Sequence, residues 1–236
     1  MKSKLLKGLL SFFLVLGIFI PFSEVKAEAA AKKGEVDIKS GVLNMRSGPG
    51  TKYKIVETLK DNTIVSVYSS KNGWIQIKYK NKNGYVSDDY LKIYSSMSVS
   101  NARKLVQEAD KTQRITWEKN YTKVQINSIM ASKFKKSYID KYIKQQFRKA
   151  GKNKNGTQLY HIMETEIWGL ALYPIDWDLK YEPKKPVISS YKKNGQEYLL
   201  VSQYHLNEMD GNKTTTIYFQ KDGSKWKVYD HRVKYE

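Results

Sequence analysis

The 236-residue chain contains no cysteine. Disulfides are thereby excluded, so stability must come from packed cores alone. Any hydrolase or transpeptidase with a thiolate nucleophile is excluded too, as is a lipid anchor carried on an N-terminal cysteine. Histidine is almost as scarce, with only His161, His205 and His231. These fall on three separate predicted strands without a close-spaced pair, whereas a zinc hydrolase needs two or three convergent ligands. No metal site and no cofactor is expected. A Gly-x-Ser-x-Gly nucleophile elbow is also missing. Acid is in short supply, with 23 Asp and Glu against 42 Lys and Arg and a net charge of +19. Such an excess attracts polyanions with an affinity that falls as salt rises.

Long apolar runs are limited to one, from Gly8 to Phe22. Lys2, Lys4 and Lys7 precede it, and the small-residue sites Val25-Lys26-Ala27 and Ala27-Glu28-Ala29 follow. Residues 1–29 therefore read as a secretory signal peptide cleaved after Ala27 or Ala29. The run is too short to cross about 30 Å of hydrocarbon comfortably, so no stable membrane span is expected after cleavage. Export makes nucleic acid a poor partner and leaves teichoic acid, peptidoglycan carboxylates and anionic lipid headgroups as candidate polyanions. No hydrophobic tail or sorting pattern precedes Glu236, so attachment at the cell surface is expected to be non-covalent. Residues 30–34, at the end of an Ala- and Lys-rich stretch, are expected to be a disordered tether.

From residue 35 the pattern changes to short strands and tight turns. Thr63 to Tyr68 alternates, with Val65 and Val67 on one face and Ile64 on the other, and Trp74 to Tyr79 places Ile75 and Ile77 together. Gly48 and Gly50 around Pro49 force a tight turn. Asn72-Gly73 and Asn83-Gly84 are hairpin dipeptides, since both central positions of such a turn need positive φ. Short strands at close spacing imply a small antiparallel barrel.

The ordered series Leu43-Asn44-Met45-Arg46-Ser47-Gly48-Pro49-Gly50, Tyr53, Asn72-Gly73-Trp74, Gly84-Tyr85-Val86 and Tyr90-Leu91 resembles the bacterial SH3 (SH3b) domain family over residues 35–92. Asp61-Asn62 departs from the lysine and glycine more usual there, but Asn also tolerates the left-handed conformation. The resemblance implies binding to cell-wall peptidoglycan, typically its peptide portion, in a groove of aromatic and polar side chains. By position, Asn44, Arg46, Tyr53, Trp74, Tyr85 and Tyr90 are the candidate ligand contacts. Arg46 can pair with a stem-peptide carboxylate, and flat aromatic faces pack on peptide backbone at low entropic cost. The alternatives are structural: Trp74 and Tyr85 in the core, Asn44 and Arg46 holding the turn.

A short linker, 93–97, leads to a second domain over 98–236. Ser98 or Ser100 can cap a helix carrying Ala102, Leu105, Val106 and Ala109. A second helix presents either Val124, Ser128 and Ala131 or Ile126, Ile129 and Met130, and a third shows Ile139, Ile143 and Phe147 at i, i+4, i+8. Strands are predicted at Tyr160–Trp168, Val187–Tyr191, Glu197–Leu206, Thr214–Gln220 and Lys225–Tyr235. Asn194-Gly195, Asp210-Gly211 and Asp222-Gly223 make the last four an antiparallel meander. The expected fold class is thus a small all-β SH3-like barrel followed by an α+β domain, with N-terminal helices and then a curved antiparallel sheet. The second domain resembles uncharacterised secreted Bacillus domains of the cystatin or nuclear-transport-factor-like type, which bring no known activity with them.

Two features of this domain bear on function. Its helical segment, 101–155, holds 15 Lys and Arg against 4 Asp and Glu. Lys133, Lys135, Lys136, Lys141, Lys144, Arg148 and Lys149 are the candidate polyanion contacts, the plain alternative being a solvated face. Glu164 and Glu166, with Asp176 and Asp178 beside Trp168, Tyr173 and Trp177, are the carboxylates a glycan-cleaving enzyme would use. The reading preferred from sequence is a secreted, non-catalytic, cell-wall-associated protein of a Gram-positive, Bacillus-like bacterium. Its barrel holds peptidoglycan and its second domain meets another partner, teichoic acid or a wall hydrolase among the candidates. The alternatives are an inhibitor or regulator of wall hydrolases and a carboxylate-based glycan-cleaving enzyme.

Overall fold

A computed structural model describes residues 31–163, 169–206 and 211–236. The signal-peptide reading, the Glu164–Glu166 pair and Asp210 of one predicted turn fall outside the described residues. Seven strands come first: β1 (Lys32–Val36), β2 (Leu43–Arg46), β3 (Ile55–Leu59), β4 (Ile64–Lys71), β5 (Trp74–Tyr79), β6 (Lys82–Ser87) and, after a 3-10 turn at Asp88–Tyr90, β7 (Leu91–Ser95). Helices α1 (Val99–Ile115), α2 (Lys123–Met130) and α3 (Lys136–Gln146) follow, then the hairpin of β8 (Phe147–Lys152) and β9 (Gln158–Ile162). Strands β10 (Val187–Lys193), β11 (Gln196–His205), β12 (Lys213–Asp222) and β13 (Lys225–Tyr235) complete the chain.

Period-2 alternation builds the barrel core. Val65 and Val67 are buried while Ile64 is 46% exposed, and Ile75 and Ile77 are fully buried with Val36, Met45, Val86 and Leu91. The turns are set by residues that accept positive φ: Asn62 (60°), Asn72 (52°) and Gly73 (77°). Asn83-Gly84 is not a turn. The β5–β6 reversal is made by Lys80 and Asn81, with φ of 44° and 63°, and Asn83 pairs with Lys78 inside the ladder. Gly84 is needed for close approach, because a Cβ there would lie 2.9 Å from the Arg46 carbonyl oxygen and 2.7 Å from Met45 Cγ.

The two halves share one sheet. Its order is β13-β12-β11-β10-β7-β1-β4-β5-β6-β2-β3, so the barrel strand β7 is flanked by β1 on one side and β10 on the other. Tyr94 faces Tyr191 and Ser95 faces Ser190 across the join, with the two serine hydroxyls 2.9 Å apart. Two expectations are thereby corrected. Lys32 and Lys33 are not tether but strand, paired with Val67 and Ser66 of β4. Ile93 to Ser95 are not linker but part of β7. An unpaired β7 would leave a row of open backbone donors and acceptors, and β10 covers it.

The second core lies between the helices and β10–β13. Ser98 caps α1 through the Asn101 amide, and Thr122 with Gln125 forms a capping box on α2. Ile126 and Met130 are buried whereas Val124 is 78% exposed, which selects one of the two stripes readable on α2. The segment before α3 docks on the sheet edge, where Lys135 N–H donates to Val228 O and Val228 N–H to Lys133 O, each at 2.8 Å. Phe147 does not extend the α3 stripe. Its φ of −119° and ψ of 141° end the helix and begin β8, whose partner β9 stands apart from the main sheet. The predicted strand from Tyr160 therefore corresponds to β9, which starts at Gln158 and ends at Ile162.

Candidate functional site

An open groove of about 660 Å³ runs across the end of the barrel. Asn44 and Arg46 reach it from β2, Trp74 from the start of β5, and Tyr90 and Asp89 from the 3-10 turn. Ile38, Lys39 and Val42 form its outer rim. Strand alternation explains the arrangement: Leu43 and Met45 point into the core, so Asn44 and Arg46 point outward. Trp74 is half-buried and Tyr90 is 47% exposed, so both offer ring area to a ligand. Four of the six sequence candidates thus meet in one place.

Tyr53 and Tyr85 stand outside it. Tyr53 is a support, because its ring fills the space a Cβ on Gly48 would occupy, and its carbonyl accepts a 2.9 Å hydrogen bond from the Arg46 guanidinium. Gly48 is thus required by packing, not by positive φ. Tyr85 lies beside Arg46 in the β2–β6 register, away from the groove lining.

The groove also contains residues that the sequence did not single out. Asp37 follows β1, and Lys193, 156 positions later in the chain, ends β10. The Lys193 ammonium donates to the Asp37 carboxylate and, at 3.3 Å, to its carbonyl oxygen. Lys92 holds the same carboxylate at 3.1 Å and Glu35 at 3.6 Å. Partial burial pushes the Asp37 carboxyl up, but the two ammonium groups outweigh this and hold it below the ordinary carboxylate value. Beside them Tyr94 donates a 2.8 Å hydrogen bond to Glu35. Burial, with that bond and the Glu35 charge, pushes its phenol to about 12.

The basic helical face is smaller than its sequence implies. Lys133 pairs with Glu108, Lys135 with Asp222 and Lys136 with Asp140. Lys141, Lys144, Arg148 and Lys149 are exposed at the end of α3 and the start of β8. Asp176 and Asp178 stabilise a loop. Asp176 accepts the Tyr181 and Glu182 amides at 2.6 and 2.9 Å, which hold its carboxyl low, and Asp178 receives both arms of Arg103.

The three histidines stay apart in separate strands. Among the described residues, no three His, Asp or Glu side chains are placed to share a metal ion. His205 does sit between a carboxylate and a hydroxyl, with Nδ1 2.7 Å from Glu182 Oε1 and Nε2 2.8 Å from Thr215 Oγ1. That is the order of groups in a hydrolytic triad. Thr215 and His205 are 0% and 1% exposed, however, so no substrate reaches the hydroxyl, and the three groups satisfy one another inside the core.

Comparison with known proteins bears on the groove directly. The family model described as "Bacterial SH3 domain" matches residues 41–92. Residues 41–92 are a bacterial SH3 domain. The chain is also similar to the putative N-acetylmuramoyl-L-alanine amidase YrvJ of Bacillus subtilis (strain 168), 37% identical over 71 residues. It is 44% identical over 66 residues to the probable endopeptidase p60 of Listeria grayi, and 41% over 66 residues to that of Listeria seeligeri. These matches cover 27–30% of this chain and 12–13% of the relatives. The shared part is thus about an eighth of each relative. Among the described residues no helix is long and apolar enough to cross a membrane.

Proposed function

We propose that the protein is a secreted, cell-wall-associated binding protein without catalysis of its own, in which the SH3 domain holds the peptide portion of peptidoglycan. The observation that carries this reading is the convergence of Asn44, Arg46, Trp74 and Tyr90 on one open groove. The Bacillus subtilis relative is named as a putative N-acetylmuramoyl-L-alanine amidase, and sharing an SH3 domain with it supports the wall polymer as the ligand. The groove fits a short extended peptide: aromatic faces for the backbone, Arg46 for a carboxylate, and Asp89 for an amine. The second domain adds a basic face suited to an anionic wall polymer.

Cosedimentation of the mature chain with purified sacculi, before and after removal of teichoic acid, tests the proposal. Pelleting with stripped sacculi, abolished by Trp74→Ala together with Arg46→Ala, is the expected result. Binding that requires teichoic acid and ignores both substitutions would place the anchor on the basic face. Release of soluble fragments from the sacculi would show that the protein is an enzyme.

A further inference from the structure

The groove is not made by the SH3 domain alone. We infer that Lys193, a residue of the second domain, is a ligand-binding residue of the groove, so that the site is a composite of both domains and distinguishes a peptide with a free carboxylate from its carboxamide. This rests on the reading that the groove binds wall peptide.

Three observations lead to it. Lys193 lines the groove, and its side chain is 28% exposed despite its pairing with Asp37. An ammonium has three N–H donors, and two of those of Lys193 are directed at Asp37, which leaves one for a ligand oxygen. The backbone beneath it is held on both sides. Lys192 pairs with Ile93 of β7, and the Asn194 amide donates to Asp88 O at 3.4 Å, in the turn that positions Asp89 and Tyr90. Lys193 is thus aimed by the sheet and by the turn that closes the groove.

Charge favours a carboxylate as its ligand. Lys39, Arg46 and Lys193 line the groove against Asp37 and Asp89. Asp37 is already shared by two ammonium groups, and Lys92 can keep it neutralised when Lys193 turns to a ligand. Asp89 opposes an anion and suits an amine of the same peptide.

The test is isothermal titration of the full mature chain with a soluble muramyl tetrapeptide, carboxylates free, and with the same compound converted to carboxamides. The native chain is expected to prefer the acid about tenfold, the order of one charge-assisted hydrogen bond at a partly exposed site. Lys193→Met should remove most of that preference by weakening binding of the acid far more than that of the carboxamide, and Lys193→Arg should restore it. Full preference retained in Lys193→Met, or no preference in the native chain, would overturn the inference while leaving the groove reading in place. No binding of either compound by the native chain would overturn both.

Discussion

His231 is buried to 4% exposure on β13 with Nε2 unpartnered and Nδ1 3.4 Å from the Gly169 carbonyl. Burial pushes its pKa from 6.5 down to about 4, because the interior solvates an imidazolium poorly. The unfolded chain binds this proton more readily, so the contribution is fully present above about pH 6.5 and is lost as pH falls from there toward 4. The loss amounts to about 3 kcal/mol at the rate of roughly 1.4 kcal/mol per unit. Urea denaturation between pH 4 and 7 should show this fall, and His231→Gln should flatten it; an unchanged slope in that variant would assign the dependence elsewhere. At the same scale the groove was partly legible. Asn44, Arg46, Trp74 and Tyr90 could be chosen because strand alternation and turn positions are local properties. Lys193 could not, because Asn194-Gly195 marks the end of its strand but nothing near it encodes that this end lies beside Asp37.

Among the elements, the readable ones carried their own signals. Asn194-Gly195, with φ of 46° and 72°, joins β10 to β11 where the dipeptide predicts, and Ser98 caps α1. The misread elements depend on remote partners. Lys32 to Val36 has one hydrophobic residue, Val36, and becomes a strand because β4 and β7 receive it. Ile93 to Ser95 lacks a turn signal on either side and is held by β10. This pairing makes a prediction about cooperativity. Leu199→Ala, in the fully buried second core, should cost about 2–5 kcal/mol. Because β7 belongs to both halves, it should lower the denaturation midpoint reported from the barrel as well as that of its own domain. A Trp74-specific fluorescence transition that stays at its original midpoint would show that the halves unfold independently.

For the whole molecule, the net charge of +19 bears on how it would approach the polyanionic wall of the proposed function. Surface attraction of this kind is screened over roughly 8 Å at physiological salt, so it accelerates encounter more than it fixes the final pose. Lys133, Lys135 and Lys136 are paired with acids, which leaves the burden on Lys141, Lys144, Arg148 and Lys149. Replacing these four by Gln should make binding to teichoic-acid-bearing sacculi less sensitive to salt while binding to stripped sacculi is unchanged. Equal salt sensitivity in the two proteins would show that this face makes no contact with the wall.

The sheet that crosses from β7 to β10 has one more consequence, for the survival outside the cell that the proposed function requires. Proteases that trim secreted proteins need a stretch of single, extended chain to enter their clefts, and the join between two domains is where they commonly find it. Here Leu91 to Ile93 pairs with β1 and Ile93 to Ser95 with β10, so each residue of the join up to Ser95 is held on at least one edge and offers them little free extended chain.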